Sequence, residues 1–232
     1  MEGYGLTETT APATVNIPTA MRMGTVGLPA AGTTVRISED SEVLVKGPIV
    51  FKGYWENEEA TAECFDDDGY FLTGDLGTLD EDGYLSIVGR KKELIVTAGG
   101  KNVYPTPMEE GLRRDRLVNH VVVVGENRPY VGALVTLDPE ALAEWCKDNG
   151  RGEMSMSEAA QDEQVRAAVQ AAVDRINEGV SRAESIRKFV ILDHELSEGS
   201  GHVTQSMKLK RSTVMEDFKA DVEALYGPRK KA

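Results

Sequence analysis

The sequence has 232 residues, enough for one large domain or one and a half small ones. It is 41% apolar and 28% charged, with 9 prolines, so it can bury a core and is neither disordered nor of low complexity. A net charge of −13 argues against nonspecific nucleic-acid binding and against an anionic membrane surface, but leaves room for a local basic pocket for a phosphate.

In chain order, Met1-Glu2-Gly3-Tyr4 lacks the basic start and apolar stretch of a signal peptide. A glycine-rich polar segment, Gly3 to Thr10, follows at once. Chain ends fray unless tied down, so a chemically rich loop at this place suggests that something belongs ahead of it. Residues 24–88 read as β-rich. Thr33-Val35-Ile37 alternates, Val43 to Val45 follows, and Lys46-Gly47-Pro48 and Phe51-Lys52-Gly53-Tyr54 are turns. Asn57 to Phe65 is predicted to be a short helix and Tyr70 to Thr73 a short strand. The turn Asp80-Glu81-Asp82-Gly83 leads into a strand over Tyr84 to Val88. Closely spaced strands with glycine turns suggest a small barrel or distorted sheet.

From residue 91 the character changes. Leu94 to Val96 reads as a short strand, and a helix over Met108 to Arg116 follows Pro105 and Pro107. The apolar runs Val118–Val124 and Val131–Leu137 are expected to pair as strands. Pro139–Asp148 reads as a helix, and Ser157 to about Glu178 as one long amphipathic helix with Val165, Val169, Val173 and Ile176 on one face. Phe189 to Leu192 is expected to be a strand and Ser212–Tyr226 a closing helix; the basic end Pro228-Arg229-Lys230-Lys231 reads as a solvated terminus. The boundary between the two halves is placed near Gly89 to Lys92, giving 1–90 and 91–232. The longest apolar stretches, such as Val121 to Val124, fall far short of a membrane span. Cys64 and Cys146 read as reduced thiols of a cytoplasmic protein, with a single disulfide left open, and no Cys/His spacing suggests zinc.

Four polar segments are not explained by apolar periodicity. Tyr4-Gly5-Leu6-Thr7-Glu8 offers close backbone approach, a hydroxyl and a carboxylate; beside a phosphate, a carboxylate implies a divalent metal between the two anions. Thr73-Gly74-Asp75-Leu76-Gly77 puts an aspartate at a strand end, where its two oxygens can each accept from one of two vicinal hydroxyls. Gly89 to Pro105 joins the cations Arg90, Lys91 and Lys92 to an apolar strand and then to Gly99-Gly100. Gly199 to Arg211 is a glycine-rich approach that delivers Lys208, Lys210 and Arg211 just ahead of a helix. Singly, these read equally as a turn, an Asx-turn, a solvated charge run and a basic helix start.

In this order and spacing they resemble the adenylate-forming, AMP-binding enzymes, and most closely the long-chain fatty-acid–CoA ligases. The form Met207-Lys208-Leu209-Lys210-Arg211 and the helical stretch around 140–185 carry the likeness to that branch; shorter-chain relatives usually have glycine where Met207 stands. The resemblance implies an α+β fold: the edge of a large domain with its distorted β-barrel, then a mobile C-terminal lid with a helical insertion. It implies that Tyr4 lies against the adenine, that Gly5 is also part of the cofactor site, that Thr7 contacts the α-phosphate and that Glu8 binds Mg²⁺. Asp75 and Arg90 would hold the ribose, Lys92 would be the hinge, Gly99 and Gly100 would line a pantetheine channel, and Lys208 would be the catalytic lysine. The implied reaction joins a fatty acid to CoA through acyl-AMP, using ATP, with no nucleic acid involved. It leaves peripheral membrane contact open. No glycine/serine/threonine-rich loop with a lysine precedes Tyr4, so the chain is expected to be the C-terminal part of such a ligase, lacking the N-terminal region and inactive alone. Two alternatives remain: a ligase that hands acyl-AMP to a carrier protein, and a non-catalytic interaction module.

Overall fold

A computed structural model describes residues 2–227; the basic end from Pro228 lies outside them. The chain divides into two compact units, the first running to Leu94 and the second starting at Ile95, four residues beyond the boundary read from composition.

In the first unit, β1 (Gly3–Tyr4), β2 (Thr14–Val15) and β3 (Leu28–Pro29) form a small antiparallel sheet in that order. A second antiparallel sheet takes β4 (Thr34–Ile37), β5 (Glu42–Lys46), β6 (Phe71–Leu79) and β7 (Leu85–Arg90), also in chain order. The helix α1 (Glu58–Glu63) lies between β5 and β6 in sequence and is capped by Asn57, whose side chain accepts the Ala60 N–H. Backbone bonds join the two sheets: Val26 N–H donates to the Leu85 carbonyl (2.7 Å) and Leu85 N–H to that of Gly27 (3.0 Å). The result is a curled half-barrel around Ala13, Val43, Val45 and Leu85, all fully buried. Gly27 is needed where the sheets meet. Its φ is +90°, and a Cβ there would stand 2.0 Å from the Val15 carbonyl carbon.

The second unit opens with the hairpin β8 (Ile95–Val96) and β9 (Asn102–Val103), followed by α2 (Pro105–Leu112). Its main sheet holds β10 (Val118–Val124), β11 (Val131–Leu137) and β12 (Ile186–Ile191), with β11 in the centre. β10 pairs antiparallel with β11, as the apolar runs predict, and β12 pairs parallel with it. A parallel pair requires a long crossover. It is supplied by α3 (Pro139–Asp148), α4 (Met156–Gln161) and α5 (Glu163–Asn177). The closing elements are α6 (Arg211–Asp217) and α7 (Lys219–Tyr226). Both faces of the sheet are covered. Val121, Val123, Ala133 and Val135 pack in one core with Met108, Leu142, Val165 and Phe189, whereas Val122, Val124 and Leu134 pack in another with Val203, Val214 and Leu225. Burial on both faces is why these strands read as continuous apolar runs rather than alternating ones.

Several boundaries differ from the sequence reading. α2 starts at Pro105 rather than Met108, because Pro105 and Pro107 sit in a first turn whose N–H groups need no helical partner. The expected single helix from Ser157 is two helices. The break is Asp162, whose carboxylate caps α5 by accepting from Gln164 (2.9 Å) and Val165 (3.0 Å), while Arg151 grips both its oxygens. The closing helix likewise breaks at Phe218. The short strand at Tyr70–Thr73 is a nine-residue strand that runs on through Asp75.

The Arg151 hydrogen bonds, with the backbone donors, hold Asp162 at a pKa of about 2, below its ordinary 3.8. A depressed carboxyl contributes stability that is whole above the unfolded value and lost as pH falls through the folded one. Urea melts of the parent and of Asp162→Asn are therefore expected to differ most above pH 4 and to converge as pH drops toward 2. A gap that stays constant over that window would remove Asp162 as the source.

Candidate functional site

Asp75 lies inside β6, paired across to Arg90 of β7, and not at a strand end. It is 4% exposed. The Tyr4 hydroxyl donates to its Oδ2 (2.6 Å), and Arg90 Nε stands 2.7 Å from Oδ1. Burial pushes the Asp75 carboxyl above its ordinary value, against the pull of the Tyr4 hydroxyl and the Arg90 guanidinium. Burial and the bond to Asp75 push the Tyr4 phenol up. The sequence-predicted residues Tyr4, Asp75 and Arg90 are thus brought into direct contact. Each carboxylate oxygen keeps further lone-pair capacity after its one partner, so the pair can still accept from two hydroxyls.

The loop after Tyr4 is held by its own backbone. A Cβ on Gly5 would meet the Ala11 carbonyl oxygen at 2.8 Å, which gives glycine here a reason within the chain. Thr9 is buried and its hydroxyl accepts the Leu6 N–H (2.8 Å), fixing a 3-10 turn over Thr7–Thr9. That turn leaves Thr7 exposed and Glu8 half-buried. Glu8 Oε1 accepts the Tyr54 hydroxyl (3.0 Å). Glu8 lines a cavity of about 600 Å³ together with Tyr54, Thr73, Gly74, Arg90 and Lys92. Among the described residues no cluster of three or more His, Cys, Asp or Glu is arranged for a metal. Glu42 and Glu63 line the same cavity, and Glu42 is taken up by Gly74 and Lys91; such a lining suits Mg²⁺, which takes one or two carboxylates and completes its shell with water and substrate phosphate.

Sequence reasoning missed Glu42 and Tyr54. Glu42 is 5% exposed; its Oε1 accepts the Gly74 N–H (2.9 Å) and its Oε2 binds Lys91 Nζ (2.7 Å). The available signal was a carboxylate opening the apolar strand Glu42-Val43-Leu44-Val45.

The remaining predicted residues belong to the second unit. Gly99 and Gly100 form the β8–β9 turn, closed by Thr97 N–H to Lys101 (3.0 Å) and Gly100 N–H to Thr97 (2.8 Å). Both are exposed, and a Cβ on Gly100 would meet nothing within 4 Å. Lys208 is exposed on a hairpin, where the sequence suggests a flexible approach. Thr204 N–H donates to the Lys208 carbonyl (2.8 Å), and the Lys208 N–H returns to the Thr204 hydroxyl (3.0 Å). Buried His202 anchors the base. Its Nε2 lies 2.9 Å from Asp217, its Nδ1 lies 2.8 Å from Ser200, and its ring packs on Phe218. Arg211, grouped with Lys208 by sequence, is instead tied to Glu109 and to the Val123 carbonyl (2.9 Å), so it fixes α6 to the sheet.

Met207 holds a φ of +59° at the tip while 70% exposed. L-residues pay about 1 kcal/mol there. Met207→Gly is expected to leave stability unchanged or raise it by up to about 1 kcal/mol in urea melts, the glycine's extra unfolded freedom offsetting part of the relief. A loss of that size would contradict the strain.

Two family models match this chain: "AMP-binding enzyme C-terminal domain" over residues 92–230 and "AMP-binding enzyme" over residues 1–55. The chain belongs to the AMP-binding enzymes. It is 50% identical over 226 residues to the long-chain-fatty-acid–CoA ligase FadD15 of Mycobacterium bovis, covering 97% of this chain and 38% of that protein. It is 34% identical to the human long-chain-fatty-acid–CoA ligase ACSBG1, covering 98% of this chain and 35% of that one. The chain therefore spans well under half the length of the curated relatives it matches. Among solved structures, the A domain of a carboxylic acid reductase from Segniliparus rugosus, in complex with AMP and a co-purified carboxylic acid, superposes with a TM-score of 0.73. It is 26% identical, covering 97% of this chain and 34% of that one. ATP-bound MatB from Rhodopseudomonas palustris gives 0.68 at 30% identity, covering 94% and 40%. Like other AMP-binding enzymes, the chain is mixed α and β with a curled half-barrel sheet, and no helix among its described residues is long and apolar enough to cross a membrane.

Proposed function

We propose that this chain forms the C-terminal part of an ATP-dependent long-chain fatty-acid–CoA ligase. The observation that carries the reading is buried Asp75, held between Tyr4 and Arg90 in a family member half identical to such a ligase. The Asp75 carboxylate accepts the two ribose hydroxyls through its free lone pairs, and the Arg90 guanidinium offsets part of what burial costs its charge. Tyr4 lies against the adenine, Gly5 lets the backbone approach the nucleotide closely, and the exposed Thr7 hydroxyl donates to the α-phosphate. Glu8 holds Mg²⁺, which when bound offsets the negative charge of the phosphates. A fatty carboxylate oxygen attacks the α-phosphorus and pyrophosphate leaves. Lys208 brings an ammonium to the charge that grows on the phosphoryl oxygens, a gain larger in the transition state than in the ground state. The CoA thiolate then attacks the acyl carbon, the thioester forms and AMP leaves. That step needs the Lys208 hairpin withdrawn and a narrow thiol arm admitted past Gly99 and Gly100, with Lys92 as the pivot of a mobile second unit. The setting is cytoplasmic, in keeping with the free thiols of Cys64 and Cys146.

The test is a chimera with the N-terminal region of the M. bovis FadD15 ligase ahead of this chain. With ATP, Mg²⁺ and palmitate it is expected to release pyrophosphate, and on addition of CoA to release AMP with palmitoyl-CoA. AMP release that requires a phosphopantetheinyl carrier protein would move the acceptor to the carrier-protein alternative. No pyrophosphate release from a folded chimera would leave the non-catalytic module.

A further inference from the structure

Two consecutive cations at the end of the first unit are tied to two buried carboxylates on neighbouring strands. Arg90 pairs with Asp75 of β6 (2.7 Å), and Lys91 pairs with Glu42 of β5 (2.7 Å) and with Asp40 (2.6 Å). Glu42 and Asp75 are linked as well. Glu42 is in register with Leu76, and it accepts the N–H of Gly74, the residue before Asp75. The next residue, Lys92, is exposed and enters no ion pair among the described residues, and the first unit ends two residues later, at Leu94.

We propose that Glu42 is a positioning residue that clamps Lys91 to the first unit, so that the chain's freedom to swivel between units begins at Lys92 and not before it. The clamp holds because Glu42 is buried. Without the Lys91 ammonium its carboxylate keeps only the neutral Gly74 N–H, and leaving a buried charge so poorly paired is costly. Lys91 itself is half exposed, and its second partner, Asp40, is exposed enough to be solvated when the pair is lost. Through Gly74, the same carboxylate fixes the backbone entering Asp75. The sugar-binding strand and the start of the swivel therefore share one anchor. A pivot that started earlier would drag Arg90 off Asp75 with every rotation.

The proposal deepens the reading of Lys92 as the pivot and rests on it. Its test needs neither nucleotide nor turnover, so its failure and the failure of the ligase reading are distinguishable. The measurement is ¹⁵N relaxation on the chain itself. Lys92 lies inside a 3-10 turn over Lys91–Glu93, so the swivel is read on the slower timescale of a hinge: in relaxation dispersion the Lys91 amide is expected to show no exchange contribution, with exchange starting at Lys92. In Glu42→Gln and Lys91→Met the Lys91 amide is expected to gain an exchange contribution like that of Lys92, and Lys91→Arg is expected to remove it. Unshifted Val43 and Leu85 amides report that the sheet stays folded. If Glu42→Gln fails to fold, Lys91→Met decides alone. A Lys91 amide in exchange like that of Lys92 in the parent, or one that stays free of exchange in folded Lys91→Met, would overturn the clamp.

Discussion

Lys208→Ala in the chimera is expected to lower acyl-AMP formation by about 10²- to 10³-fold, the loss seen when one preorganised donor to a developing oxyanion is removed. The structure makes the substitution clean. Lys208 is exposed, and the two hydrogen bonds it makes in the hairpin use its backbone, so alanine preserves the turn. His202 and Arg211, which hold the hairpin base and α6, are untouched. Thioester formation from supplied palmitoyl-AMP is expected to change less than about threefold, because on the proposed reading the hairpin is withdrawn in that step. The measurements are pyrophosphate release for the first half-reaction and palmitoyl-CoA appearance from palmitoyl-AMP for the second. Equal losses in both would show that Lys208 serves folding or general binding instead. Lys210→Ala is the comparison on the same hairpin.

The second large effect separates the chain from the chimera. Pyrophosphate release by the chain alone is expected to fall at least about 10³-fold below that of the chimera at equal concentration, since positioning and phosphate stabilisation supply most of the barrier reduction in phosphoryl transfer. On the proposed reading the chain supplies the Asp75 carboxylate for the sugar, the Glu8 carboxylate for Mg²⁺ and the Lys208 ammonium. No glycine/serine/threonine-rich loop with a lysine stands ahead of Tyr4, where the resemblance would put the cradle for the β- and γ-phosphates. Turnover by the chain alone within tenfold of the chimera would mean that the phosphates are held by residues identified neither from the sequence nor from the structure.

Much of the fold was legible because its signals are local. The runs Val118–Val124 and Val131–Leu137 are strands at the predicted residues, since burial on both faces leaves no polar interruption to blur their ends. Helix breaks were not legible. Asp162 falls where the 3.6-residue apolar spacing continues on both sides, and only its capping bonds, with Arg151 behind it, reveal the stop. The site was readable as motifs and not as contacts. Asp75 and Arg90 stood out within polar segments, and only the resemblance set them side by side, because their pairing depends on the register between β6 and β7. Glu42 went unnoticed because a single carboxylate at a strand start has an ordinary solvent-facing explanation, and its burial comes from Gly74 and Lys91, distant in sequence.

The parallel seam between β11 and β12 has a consequence for synthesis. It brings residues 131–135 against 186–191, so the chain must close a loop of about fifty residues before the sheet is complete, an entropic cost set against no local reward. α3, α4 and α5 emerge from the ribosome with one wall of their core still unmade. The β10–β11 hairpin can form early, but its far edge stays bare until Ile191 has cleared the exit tunnel. A pause in translation within that span would leave the apolar strand β11 with one bare edge open to a neighbouring chain, the very place where nascent copies of this protein would stick together.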